Sequence, residues 1–379
     1  MRVYLDNAAG TRMSDKVIGD MLRAFGLIEG NASSVHRAGM EAREMVEESR
    51  ERIAKCFRIE ASRIVFTSGA TEANNSAMSH YAAKGNREGK RHIVISSMEH
   101  PSITEYCRYL SDERGYEITV VEPTDDGVIR SEDVIRALRR DTCVVSVMGV
   151  NNEIGTIQPF EEIGRLCSAL GVPFHCDMTQ GASVAHRIYN MEGASFSFSA
   201  HKIHGPQGVG ILIVPSGLRH FQKFIHGGNQ ERGLRAGTEN VAGIVGMASA
   251  IAEGFQYGFW KERIEMLRDR LYQGLCKEVG GVVLNGNYNK SVPHILNVSF
   301  EGIEGDAMVT MLSNVYEIYC STGSACCSGN TEPSRVLKSM GLSDARSLGA
   351  VRLSLSQYNT CDQIDYTIKS ISEAVSAFR

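Results

Sequence analysis

Several things are missing from this sequence. No apolar run approaches the ~20 residues a membrane-spanning helix requires, so no membrane association is expected. None of the ten cysteines forms a C-x-x-C pair, which leaves a zinc ribbon or a thioredoxin-type redox site without support, and no metal site is expected. Proline is scarce, with 8 residues against 38 glycines, a balance that suits many close backbone turns in a compact α/β protein. Positive charge is not in excess: 40 Lys and Arg face 44 Asp and Glu, a net charge of −4. A nucleic-acid binder driven by bulk charge is therefore disfavoured. The first residues, Met1 to Asn7, contain no signal-peptide core. With the scattered cysteines, this predicts free thiols in a reducing, cytoplasmic compartment. Neither an internal repeat nor a low-complexity tract is visible.

What is present is a chain of 379 residues with 42% hydrophobic and 22% charged residues, close to the average of globular domains and long enough for two or three of them. Apolar strands alternate with helical patterns: strands at 63–67, 92–96, 117–121, 143–150, 172–176, 195–198 and 209–214, and helices at 71–83, 101–113, 131–140 and 160–170. Continuous apolar strands separated by helices predict a mainly parallel, seven-stranded sheet covered on both faces. Beyond it, residues 240–266 read as one long helix with few breakers, apart from glycines near Gly254 and Gly258, that joins the domains rigidly. An α+β region follows, with strands at 294–300, 315–320 and 350–355 and helices at 267–278, 307–312, 333–340 and 361–378. The predicted division is a large domain over 15–260 and a smaller one made of 1–14 and 261–379.

In such sheets the functional crevice lies beyond the carboxyl ends of the strands, so polar residues just past those ends carry the signal. Lys202 follows the strand 195–198. A lone lysine there has an ordinary surface reading, but a Schiff-base lysine is the alternative. Asp177 follows the strand 172–176 and would either cap a helix or keep a pyridine nitrogen protonated as an electron sink. Residues 68–72, Ser-Gly-Ala-Thr-Glu, form a strand–turn–helix that is either a plain helix N-cap or a cradle whose free N–H groups and Thr71 hydroxyl would hold a phosphate. His100 follows the strand 92–96. One crevice holding a phosphate cradle, an acid, a lysine and a flat aromatic ring reads as a site for pyridoxal 5′-phosphate (PLP).

The motifs around these positions carry a resemblance. Tyr4-Leu5-Asp6-Asn7-Ala8-Ala9, Thr67 to Glu72, Glu99-His100, Asn151 to Gly155, Asp177 to Gln180, Ser199-Ala200-His201-Lys202, Arg232 to Thr238 and Gly323-Ser324-Ala325-Cys326 stand in this order over nearly the whole chain. Together they resemble the NifS/IscS-like cysteine desulfurases of the class V aminotransferase group, which have the type I PLP fold. The resemblance implies that Lys202 forms the Schiff base, Asp177 pairs with the ring nitrogen, Gln180 with the ring hydroxyl, and His100 stacks on the ring and shuttles protons. It assigns the phosphate to Thr71, Ser199, His201 and the Ala70 N–H, with Thr238 reaching the site of the other subunit, which implies a homodimer. Asn152 and Arg352 would bind the carboxylate of the L-cysteine substrate.

Cys326 decides the reaction that the resemblance implies. It lies in a small, polar segment, Ser321 to Asn330, where a thiol is poorly buried. It would take sulfur from L-cysteine as a persulfide, release L-alanine and pass the sulfur to an acceptor protein for iron–sulfur cluster assembly or tRNA thiolation. The pattern departs from the family at Gly10, Ala32, Gln207 and Asn229, none of which removes a named chemical group. Cys327, beside the nucleophile, reads as a bystander, with an intramolecular sulfur relay as the alternative. The rival readings are a selenocysteine lyase, another class V aminotransferase-type PLP enzyme that does not need Cys326, and a non-catalytic PLP-binding partner module.

Overall fold

A computed structural model describes residues 1–218, 221–323 and 333–379. Cys326 and Cys327 lie outside the described residues. Seven short strands form the main sheet in the spatial order Ile64–Thr67, Gly210–Ile213, Ala194–Ser199, Phe174–Asp177, Thr142–Ser146, His92–Ser96 and Glu117–Val121. All neighbours pair in parallel except Gly210–Ile213, which runs against both of its partners. The sheet is therefore mixed but mainly parallel.

Side chains alternate between the two faces, as the pleat requires. Ile64, Phe66, Val94, Ile211 and Ile213 face a core shared with helices Asp15–Leu27, Arg37–Phe57 and Val241–Gln256. Val65, Ile93, Ile95 and Leu212 face helices Ala70–Arg87 and Pro101–Arg114. Burial of one such side chain contributes roughly 1.5–3 kcal/mol, so both helical layers are held firmly. Gly210 is obligatory at its place: a Cβ there would sit 2.6 Å from the Phe198 carbonyl oxygen and 2.7 Å from Gly69 Cα. The antiparallel strand can thus pass close to the Ser68-Gly69 turn.

Ile64–Thr67 is an edge strand, and its outer backbone groups are covered. Arg50 and Glu231, both buried, form a two-pronged ion pair at 2.8 and 2.9 Å. Arg50 also donates to the Ile64 carbonyl at 2.8 Å, and Glu231 accepts the Phe66 N–H at 2.8 Å. Satisfying an exposed ladder in this way removes a pairing template and fixes the 231–238 segment beside the phosphate-type turn.

A second core joins Val3 and Leu5 to residues between Ile264 and Val375. It is built on a three-stranded antiparallel sheet, Ala350–Ser354, Ile295–Phe300 and Val282–Leu284. Helices Lys261–Glu278, Gly305–Tyr316 and Cys361–Phe378 pack around it. Val3–Tyr4 pairs in parallel with Ile318–Tyr319.

The long helix expected over 240–266 is instead two helices, Val241–Gln256 and Lys261–Glu278. Gly258, Phe259 and Trp260 between them all have positive φ, at 56°, 54° and 51°. The Phe259 ring folds back over Gly254, where a Cβ would lie 2.2 Å from it, so the two glycines that interrupted the pattern are the cause of the break. The strand expected at 315–320 shrinks to Ile318–Tyr319, because the preceding helix runs on to Tyr316 and ends at Glu317 with φ 53°. The strand expected at 143–150 stops at Ser146, and the helix expected at 131–140 stops at Arg136.

Candidate active site

Five strands of the main sheet end at one cavity of about 590 Å³. Ten of the twelve residues expected at the site line it: Ala70, Thr71, His100, Asn152, Asp177, Gln180, Ser199, His201, Lys202 and Arg352. Thr238 does not; it is exposed, outside the cavity of its own chain. Cys326 lies outside the described residues, but Gly323, three positions before it, is part of the wall.

One end of the cavity is built for an anion. Ser68 and Gly69 turn the chain from strand Ile64–Thr67 into helix Ala70–Arg87, whose first N–H groups have no intrahelical partner. Ser199 Oγ and His201 Nδ1 lie 2.8 Å apart just past the neighbouring strand. Burial, reinforced by the nearby Lys202 charge, pushes the His201 pKa down to about 4. The ring is therefore neutral at pH 7 and acts through hydrogen bonds. Glu72 accepts the Ser68 N–H at 2.8 Å and is clamped by Arg235, with Nε 2.9 Å from Oε1 and Nη2 3.2 Å from Oε2. Arg235 thereby neutralises the one carboxylate beside the anion end. This pair was not read from the sequence as part of the site, although Glu72 and Arg235 both fell inside the motifs.

At the centre, Asp177 is buried at the end of its strand and accepts from the Thr179 N–H at 2.9 Å and from Asn74 Nδ2 at 2.7 Å. His100 caps helix Pro101–Arg114: its Nδ1 accepts the Ser102 N–H at 3.1 Å. Because Nδ1 is an acceptor, the neutral ring carries its proton on Nε2. Burial lowers the His100 pKa and Lys202 and Arg335 add to this, against the opposing pull of Asp177. Lys202 Nζ donates to the carbonyls of Ala8 at 2.6 Å and Ala9 at 2.9 Å. Gln180 Nε2 donates to the same Ala8 carbonyl at 2.8 Å.

The far wall comes from the three-stranded sheet. Arg352 donates from Nη2 to Asp6 Oδ1 and from Nη1 to the Asn152 carbonyl, both at 2.9 Å. Its side chain is only 4% exposed, yet its Nε has no hydrogen-bond partner. The buried Thr179 hydroxyl, also in the wall, has none either. Unpaired buried polar atoms are costly, but both atoms are closed off from the cavity by their own surroundings.

The donor set fits PLP: a helix start with Ser199 and His201 for a phosphate, an ionisable carboxyl for a ring nitrogen, a flat imidazole and an amine. The fold and site thus define a PLP-dependent enzyme of fold type I. The aminotransferase class-V family matches residues 3–367. The cysteine desulfurase IscS of Serratia proteamaculans is 38% identical, covering 100% of this chain and 93% of the relative, and that of Glaesserella parasuis is 40% identical with the same coverage. A solved NifS-like protein superposes with a TM-score of 0.92 at 37% identity over 100% of both chains. SspA, solved in complex with cysteine, gives a TM-score of 0.82 at 32% identity, covering 94% of this chain and 100% of SspA. The chain belongs to the class-V aminotransferase family, among its NifS/IscS-like cysteine desulfurases.

Proposed function

We propose that this chain is a homodimeric cysteine desulfurase that converts L-cysteine to L-alanine and stores the sulfur as a persulfide on Cys326. The observation that carries this reading is the convergence of ten expected residues on one cavity. The division into a large unit, 15–260, and a small unit, 1–14 with 261–379, is part of the same reading and is supported by the separate second core.

Ala70, Thr71, Ser199 and His201 would hold the phosphate, Asp177 the ring nitrogen, Gln180 the ring hydroxyl and Lys202 the aldehyde carbon. Bound there, PLP supplies an electron sink for carbanion chemistry next to the substrate's amino group. Arg352, anchored by Asp6, would take the substrate carboxylate, with Asn152 beside it; guanidinium suits a planar carboxylate. His100, neutral with its proton on Nε2, would move protons at the substrate. The Cys326 thiolate would attack the substrate sulfur. The new S–S bond forms as the C–S bond breaks, the electron pair of that bond goes to carbon, and protonation of the carbon gives alanine. Thr238, exposed on its own chain, would complete the phosphate site of a second copy. The chain would work in the cytoplasm, passing its sulfur to an acceptor protein for iron–sulfur cluster assembly or tRNA thiolation. Among the described residues no helix is long and apolar enough to cross a membrane.

The test is alanine and sulfide release from L-cysteine with a reductant, wild type beside Cys326→Ala. Alanine from the wild type and its loss in the variant are expected. PLP-loaded wild type that makes no alanine would overturn the reading.

A further inference from the structure

Behind the cavity, on helix Ala70–Arg87, lies Asn74, which is completely buried. It does not line the cavity. Its amide is fully used. Nδ2 donates to Asp177 Oδ2 at 2.7 Å and to Ser102 Oγ at 2.8 Å. Oδ1 faces His175 Nε2 at 3.0 Å and the Ser197 hydroxyl.

The direction of each bond follows from chemistry. An ionised Asp177 only accepts, so the nitrogen end of the amide must face it and the oxygen end must face His175. His175 Nε2 is then the donor. Burial holds the His175 pKa well below its usual value, although Asp177 pulls the other way, so the ring is neutral and its Nδ1 accepts from Ser195 Oγ at 2.9 Å. Ser195 in turn accepts from the Tyr81 hydroxyl at 2.9 Å. On the other arm, Ser102 Oγ receives an Asn74 proton and turns its own toward His100 Nδ1 at 2.9 Å.

We propose that Asn74 is a positioning residue for both Asp177 and His100, one amide bonding the carboxylate that would pair with the ring nitrogen and, through Ser102, supporting the imidazole that would stack on the ring. This rests on the assignment of Asp177 and His100 to PLP made above. Two protons of one rigid amide leave in two directions, one to the carboxylate and one to the Ser102 hydroxyl, which adds to the Ser102 N–H in holding His100 Nδ1. The chain from Tyr81 through His175 holds the amide oxygen and leaves it no other orientation.

The test uses full-length protein carrying Asn74→Ala, Asn74→Asp, Ser102→Ala or Ser102→Thr. PLP affinity is measured by titrating cofactor-stripped chain, and ring-nitrogen protonation by NMR of holoenzyme loaded with isotopically labelled PLP. Asn74→Ala is expected to weaken PLP binding about tenfold and to move the ring-nitrogen signal toward the unprotonated form. Asn74→Asp, which keeps the size but loses both donors and sets a second carboxyl beside Asp177, should do more. Ser102→Ala cuts only the His100 arm. It should lower kcat about tenfold while PLP affinity stays within about twofold, and Ser102→Thr should restore kcat. The inference is overturned if Asn74→Ala keeps wild-type PLP affinity and ring-nitrogen signal, or, should Asn74 variants not fold, if Ser102→Ala keeps wild-type kcat. A wild type that binds no PLP would overturn instead the assignment on which the inference rests.

Discussion

On the side of the cavity built by the seven-stranded sheet, Asp177, His100, Ser199 and His201 already hold hydrogen bonds within the chain. On the side built by the three-stranded sheet, Arg352 is held at its two amino nitrogens but keeps a buried Nε unpaired. The first wall is preorganised and would keep its shape around a resident cofactor. The second offers a guanidinium held, among the described residues, only by Asp6 and the Asn152 carbonyl, as suits the carboxylate of a substrate that arrives and leaves in every cycle.

Substitutions on the two walls should therefore fail differently. The largest effect is expected on the first wall. Lys202→Ala should cut alanine formation by roughly 10³-fold or more and remove the covalent attachment of PLP, read by reduction with borohydride and mass spectrometry. A variant that still carries borohydride-fixed PLP would break the assignment. On the second wall, Arg352→Gln should raise KM for L-cysteine roughly 10–100-fold with PLP affinity unchanged, because a charge-assisted pair to the substrate carboxylate is lost. Asp6→Asn, which only loosens the guanidinium, should raise KM less, by about threefold to tenfold. Equal loss of PLP affinity in either variant would erase the distinction between the walls.

The smallest effect lies outside both walls. His80 stacks on Phe221 at 4.6 Å and accepts the Gln222 N–H at 3.0 Å. Burial first, and then Lys84 and Arg87, push its pKa down to about 4. An unfolded imidazole binds its proton near pH 6.5. Between these two values the unfolded chain binds more protons than the folded one, so stability falls as pH falls. Urea unfolding of the cofactor-stripped wild type beside His80→Gln between about pH 6.5 and 4 isolates this contribution, and the variant should lose less stability on acidification. An unchanged slope would mean that His80 is protonated in the folded chain.

The two walls were also unequally legible in the sequence. The first could be read because strand ends and small-residue turns sit beside each polar group: His92–Ser96 and Glu117–Val121 are found as expected, His100 and Lys202 follow strands in sequence, and Asp177 closes one. Arg352 lies inside a strand, at a position that reads as an alternating core residue, and only its motif singled it out. Asn74 was invisible because a polar residue on a helix reads as solvent-facing until the tertiary fold buries it. The same tertiary effect hid the break at Phe259 and Trp260, where packing of an aromatic ring over Gly254 overrides a helical pattern. Thr179 stood inside a quoted motif, but the lack of a partner for its hydroxyl is a property of the folded cavity alone.

The most direct test of the central claim is mass spectrometry of the peptide holding Cys326 after the PLP-loaded protein has met L-cysteine without reductant. The account predicts a gain of one sulfur atom on Cys326, reversed by dithiothreitol and absent in Lys202→Ala and Arg352→Gln at low cysteine concentration. Alanine released at full rate with Cys326 unmodified, or sulfur found on another cysteine alone, would contradict it.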